Sequence, residues 1–133
     1  MKTSKGKLLM VELFIFAISF TVFSIMANDH YLFDWIVFNY RYYVFLLLIT
    51  MLSLFNNKKI LSIALTLGIN MGAVFANYFG NFIQKINIEK IDLTMSAQQI
   101  AKLNENPAFI YWLVIILFIL VVGAILQSKI NIN

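Results

Sequence analysis

Apolar residues in this chain are gathered into four long runs: Leu8 to Met26 (19 residues), Trp35 to Phe55 (21), Ile60 to Ile83 (24) and Ala108 to Leu126 (19). A helix that crosses the ~30 Å hydrocarbon layer of a bilayer needs ~20 apolar residues at a rise of ~1.5 Å each, and all four runs meet that length. Helices are expected, because an open set of four strands would leave backbone N–H and C=O groups unpaired in lipid. Barrel strands would alternate in polarity and be about half as long. None of the intervening pieces approaches the ~40 residues below which a chain seldom builds a core of its own. The expected architecture is therefore an all-α integral membrane protein, a single membrane domain over residues 1–133. It is read as a four-transmembrane-helix bundle with spans at 8–26, 35–55, 60–83 and 108–126, and a short extracytoplasmic amphipathic helix within the outer connection 84–107 between helices 3 and 4.

Composition sharpens this picture. The chain is 62% hydrophobic and 12% charged, whereas soluble domains average ~45–50% and ~25%. Its net charge of +4 is accounted for by topology. Lys2, Lys5 and Lys7 precede the first run, Lys58 and Lys59 lie between the second and third, and Lys129 follows the fourth. Basic residues stay on the cytoplasmic side, so the reading is a multi-pass protein of the cell membrane with both termini cytoplasmic. The opposite side mixes Asp29, Asp34, Glu89, Asp92 and Glu105 with Arg41, Lys85, Lys90 and Lys102. That near-neutral mixture gives a nucleic-acid partner little support. A cleaved signal peptide is the competing reading of the first run, but its length exceeds the usual ~7–15-residue apolar region and Glu12 interrupts it.

The third run carries the most informative spacing. Gly68, Gly72, Ala76 and Gly80 recur every fourth residue and form a groove of small side chains that admits another helix backbone. Asn70, Asn77 and Asn81 share a different face, each with an amide that must find partners away from water. The favoured use of these amides is hydrogen bonding between helices. The competing one is a polar path shared with Glu12 or Arg41. Glu12, the sole acid within a run, is read first as a shallow carboxylate in a surface ion pair with Lys5, Lys7, Lys58 or Lys59, and second as a proton or cation site. Arg41 sits in an aromatic cluster, Trp35, Tyr40, Tyr42 and Tyr43, suited to the headgroup level. It is read as reaching a lipid phosphate or Asp34, with an anion or a partner's carboxylate as the functional alternative.

In the outer connection, Ile86 to Leu93 partly alternates and suggests an extended segment or an irregular lid. Ser96 followed by Gln99 is a capping box that predicts a helix over about 97–104. The single histidine, His30, beside Asp29 cannot make a metal site and is read as solvated. With no cysteine, phosphate loop, zinc-protease motif or nucleophile elbow, the expectation is no enzyme, no cofactor and no metal. The functional expectation is an interaction or accessory protein that packs through the small-residue stripe, as a homo-oligomer or against a larger membrane protein. The alternative is an oligomeric transporter or pore whose path follows Asn70, Asn77 and Asn81.

Overall fold

The computed structural model describes residues 5–132, so Lys2 lies outside the described residues. Six helices follow one another: α1 (Lys5–Met26), α2 (Tyr31–Phe38), α3 (Tyr40–Phe55), α4 (Lys59–Glu89), α5 (Ala97–Leu103) and α6 (Ala108–Ile132). A 3-10 turn at Ala27–Asp29 links α1 to α2, and no strand occurs among the described residues. The helices α1, α4 and α6 are each long and apolar enough to cross a membrane, and the α2–α3 pair adds a fourth crossing if its two bent parts count as one.

The centre of the fold is α4. In its most apolar stretch 56% of residues are buried, against 17% for α1 and 11% for α6. One of its faces takes α6. A Cβ added at Gly68 would stand 2.7 Å from Ile119 Cγ2, at Gly72 2.8 Å from Ile115 Cγ2, and at Gly80 2.6 Å from the Ala108 backbone nitrogen. Ala76, in register with these glycines, is also buried. The groove that the spacing offered to another helix is thus filled by α6 of the same chain. Trp112 of α6 locks the contact, its indole Nε1 donating to Ile69 O at 2.9 Å. The other face of α4 meets α1, α2 and α3 around a core that includes Phe16, Phe23, Phe33, Ile36 and Tyr43. Phe23 stacks on Phe33 with ring centroids 4.6 Å apart.

Two expectations from the sequence are corrected here. The second run is not one continuous helix, because α2 and α3 meet at Asn39 with their axes bent by 82°. Asn39 leaves the helical region (φ −105°, ψ 46°), and its side-chain amide joins its own N–H on the Trp35 carbonyl, at 3.1 and 2.8 Å. Such side-chain competition for a backbone carbonyl is what makes Asn a poor interior helix residue. The bend also puts Asp34 and Arg41, read as a pair, on two separate helices. The second correction concerns Ile86 to Leu93, which is not extended from its start, since α4 continues to Glu89. Its half-buried residues Ile83, Gln84, Ile86 and Asn87 recur at helical spacing, and Gln84 Nε2 holds Asn104 O at 2.6 Å.

Helix ends are closed by two different devices. Local ones match sequence rules. The Ser96–Gln99 capping box starts α5, and the α3–α4 turn uses Asn57 at φ 63°, with Lys58 N donating to Ser53 O and Asn57 N to Leu54 O. That pair of bonds is a Schellman closure, with Asn in the left-handed position usually given to Gly. The starts of α4 and α2 are capped from a distance. Gln127 Oε1 on α6 accepts from Ile60 N (2.8 Å) and Leu61 N (3.3 Å) at the start of α4. Asn77 Oδ1 on α4 accepts from Leu32 N (3.1 Å) at the start of α2. The first of these gathers the α3–α4 turn and the end of α6. Lys5 Nζ, 3.5 Å from Phe55 O, brings the start of α1 to the same end.

Candidate functional site

Polar side chains on α4 form a seam along the face turned to α1, α2 and α3: Ser62, Thr66, Asn70 and Asn77, all buried. At one end of the seam lies Glu12 of α1, only 2% exposed. Ser62 Oγ is 2.7 and 2.8 Å from its two carboxylate oxygens and 3.1 Å from Thr50 O of α3. The reading of Glu12 as a carboxylate in a surface ion pair is therefore corrected. Depth along a helix sets distance from the membrane surface, but the side chain turns inward onto α4, where neighbouring helices exclude water.

One turn further along, Thr66 Oγ1 donates to Ser62 O (3.0 Å), and Asn70 Nδ2 donates to Thr66 O (2.8 Å). Asn70 Oδ1 faces the Tyr43 hydroxyl of α3, which also lies 3.2 Å from Phe16 O of α1. Three helices are joined at this point.

The third station joins α4 to the start of α2. Asn77 Nδ2 lies 2.7 Å from His30 Nδ1, while its Oδ1 is already committed to Leu32 N. The amide must therefore present N–H to the imidazole, which fixes His30 Nδ1 as acceptor with its hydrogen on Nε2. His30, expected to be solvated, is half-buried and its ring contacts Phe33 and Tyr78, with centroids 5.2 Å away in each case. The pull comes from the amide and the two rings, which a reading of the loop in isolation does not contain.

Asn81 lies apart from this seam. It accepts from Asn106 Nδ2 at 2.7 Å, next to Gln84 and the start of α6. Arg41 is also separate, exposed at the beginning of α3 beside a cavity of about 750 Å³ lined with Phe38, Tyr40, Tyr42 and Phe45. The structure thus places Glu12, Asn70 and Asn77 along one buried seam and leaves Asn81 and Arg41 outside it. No side-chain nitrogen or oxygen buried among the described residues lacks a hydrogen-bond partner. No group of three or more His, Asp or Glu side chains among them converges as a metal site would require.

Sequence reasoning missed Tyr43, Thr50, Ser62, Thr66 and Gln127. For Ser62 and Thr66 a signal existed, because they continue the Asn face backwards from Asn70 at intervals of four. Gln127 had none, since its partners lie at the start of α4. Among the described residues outside the long helices, the one displaced ionisation is at Asp92. Its carboxylate accepts from Thr94 Oγ1 (2.5 Å) and Thr94 N (2.8 Å), and these bonds hold it below the usual carboxylate range.

The surface between α1 and α3 is of another kind. An open apolar groove of about 470 Å³ runs there, lined by Leu13, Phe16, Ala17 and Phe20 on one side and Tyr40, Tyr43, Val44 and Leu47 on the other. No protein-family model, curated protein or solved structure matches the chain.

Proposed function

We propose that this protein is a non-enzymatic accessory subunit of the cell membrane that docks an apolar helix of a larger membrane protein in the groove between α1 and α3. The proposed arrangement is a four-span bundle with both termini cytoplasmic and α5 on the outer side. In support, the start of α1, the α3–α4 turn and the end of α6 share one end of the fold and carry Lys5, Lys7, Lys58, Lys59 and Lys129.

The single observation that carries the docking reading is the division of α4. Its small-residue stripe is already occupied by α6, so an incoming helix must use another surface. The α1–α3 groove is apolar, open and bordered by Ala17, a small residue of the type that permits close helix approach in lipid. A pore along the seam has less support, because the seam's amides and hydroxyls are bonded to one another and to backbone.

The chain has no cysteine, which makes single-cysteine photocrosslinking in native membranes direct. Ala17→Cys and Val44→Cys are expected to capture one defined membrane protein, identified by mass spectrometry. Leu117→Cys, on the exposed side of α6, is expected to capture none. Groove positions that label only lipid, as Leu117→Cys would, refute the docking reading.

A further inference from the structure

We propose that Glu12 is a proton-binding site, in which the carboxyl takes up an exchangeable proton and passes a hydrogen bond through Ser62 to the backbone of α3. The cluster holds too few hydrogens for an ionised Glu12. Ser62 Oγ stands within 3.1 Å of three oxygens: both carboxylate oxygens of Glu12 and the carbonyl of Thr50. A serine hydroxyl owns one hydrogen and two lone pairs. If Glu12 is a carboxylate, all three neighbours are acceptors, and a single hydrogen must serve them.

Nearby hydroxyls cannot supply the missing donor. Thr50 Oγ1 donates to Leu46 O at 2.9 Å and Thr66 Oγ1 to Ser62 O at 3.0 Å. One added proton resolves the count, since Glu12 O–H then donates to Ser62 Oγ and Ser62 O–H donates to Thr50 O. Every polar atom of the cluster is satisfied, and α1, α4 and α3 are joined in one chain. Uptake forms an O–H bond at a Glu12 oxygen and release returns that proton to water.

The cationic groups on the elements packed around Glu12 are Lys5 and Lys7 of α1 and Lys58 and Lys59 at the start of α4, with Lys129 near the end of α6. On α3, no charged residue follows Arg41, which opens the opposite end of that helix. The hydroxyl of Ser62, a neutral group, is what meets the carboxyl directly. A proton fits the cluster better than a metal ion because its oxygens already stand at hydrogen-bond separations from one another.

The test uses the full chain reconstituted in phosphatidylcholine vesicles and infrared spectroscopy with carboxyl-labelled [¹³C]glutamate. The chain contains three glutamates, and Glu89 and Glu105 are exposed. The expected result is a carboxylic-acid C=O band at a pH where those two are fully ionised. The band should be absent in Glu12→Gln, whose amide can keep the bond to Ser62. Ser62→Ala is expected to keep the band and shift its frequency. Because the isotope label identifies glutamate in the unaltered chain, failure of either variant to fold leaves the test intact. Absence of the band in wild type overturns the proposal. Appearance of the band only when sodium chloride is exchanged for choline chloride also overturns it, because the occupant in sodium is then the metal ion. A band indifferent to sodium supports the proton.

Discussion

Adding one methyl group at successive glycines should separate packing that tolerates no change from packing that does. At Gly80 the new Cβ would lie 2.5 Å from Ala108 Cβ, 2.6 Å from its Cα and 2.6 Å from its nitrogen. Two of these atoms are backbone at the start of α6, so no rotamer relieves the overlap and the helix itself must move. At Gly68 and Gly72 the nearest atoms, at 2.7 and 2.8 Å, belong to the side chains of Ile119 and Ile115. Those can turn only at some expense, because β-branched side chains have few helix rotamers. At Gly123 the nearest contacts are 3.1 Å, to Ala64 Cβ and Leu61 Cδ1. At Gly6 nothing lies within 4 Å.

Overpacking costs about 1–3 kcal/mol, and occasionally more, while Ala for Gly within a helix returns about 0.5–1 kcal/mol. The expected order of stability is Gly6→Ala at or above wild type, Gly123→Ala near it, Gly68→Ala and Gly72→Ala lower by about 1–2 kcal/mol, and Gly80→Ala lowest, at about 3 kcal/mol or beyond. Reversible unfolding in mixed detergent micelles, followed by tryptophan fluorescence, measures the order. Trp112 lies in the affected interface and Trp35 meets its ring edge-on, with centroids 6.5 Å apart, so the probe reports on it directly. Should Gly80→Ala prove as stable as Gly123→Ala, the close approach of α4 to α6 at Ala108 would be wrong.

Two other perturbations test the long-range cap and the outer loop. Gln127→Leu leaves the amides of Ile60 and Leu61 without the acceptor they share, and loss of a cap costs about 0.5–2 kcal/mol. Faster hydrogen exchange at those two amides, with the α4 midpoint unchanged, is the expected signature. Asp92 sets a pH dependence whose sign follows from its lowered pKa. The Asp92–Thr94 turn keeps its full contribution above the ordinary carboxylate pKa of about 4 and loses it as pH falls further through the folded value. Exchange at the Thr94 amide, corrected for intrinsic rate, should be flat at neutral pH and accelerate only below about 4, and Asp92→Asn should abolish that inflection.

The helical character of the chain was legible because span length is a property of composition, which survives any rearrangement of neighbours. The Ser96–Gln99 capping box was legible because both of its partners sit within one turn. What escaped depends on which helix lies alongside. Asn39 reads as one more polar residue in an aromatic belt, yet it bends the chain. Of the three tyrosines after it, Tyr43 enters the core while Tyr40 and Tyr42 remain exposed. The spacing of Asn70 and Asn77 marked a face but could not name Tyr43 and Leu32 as partners. Glu12 was placed by its depth, and depth says nothing of the direction in which a side chain points around the helix.

The two faces of α4 solve one problem in different ways. In lipid no hydrophobic force draws helices together, so association rests on close packing and on hydrogen bonds. Towards α6 the chain relies chiefly on close packing, with glycines set against Ile115, Ile119 and the Ala108 backbone, reinforced by the hydrogen bonds of Trp112 and Gln127. Such a contact is made by many atoms at once and admits one arrangement. Towards α1 and α3 it uses separate polar stations, at Ser62 and Asn70, and interhelical bonds of this kind average only about 0.6 kcal/mol each. The α4–α6 pair is thus the most closely packed part of the fold, and under the two proposals any adjustment to a partner or a proton would fall to the face that holds α1 and α3. Both the open groove and Glu12 lie on that face. A helix entering between α1 and α3 would press on Phe16 and Tyr43, the residues that tie the groove to Asn70, and the proton on Glu12 would decide how firmly α1 resists.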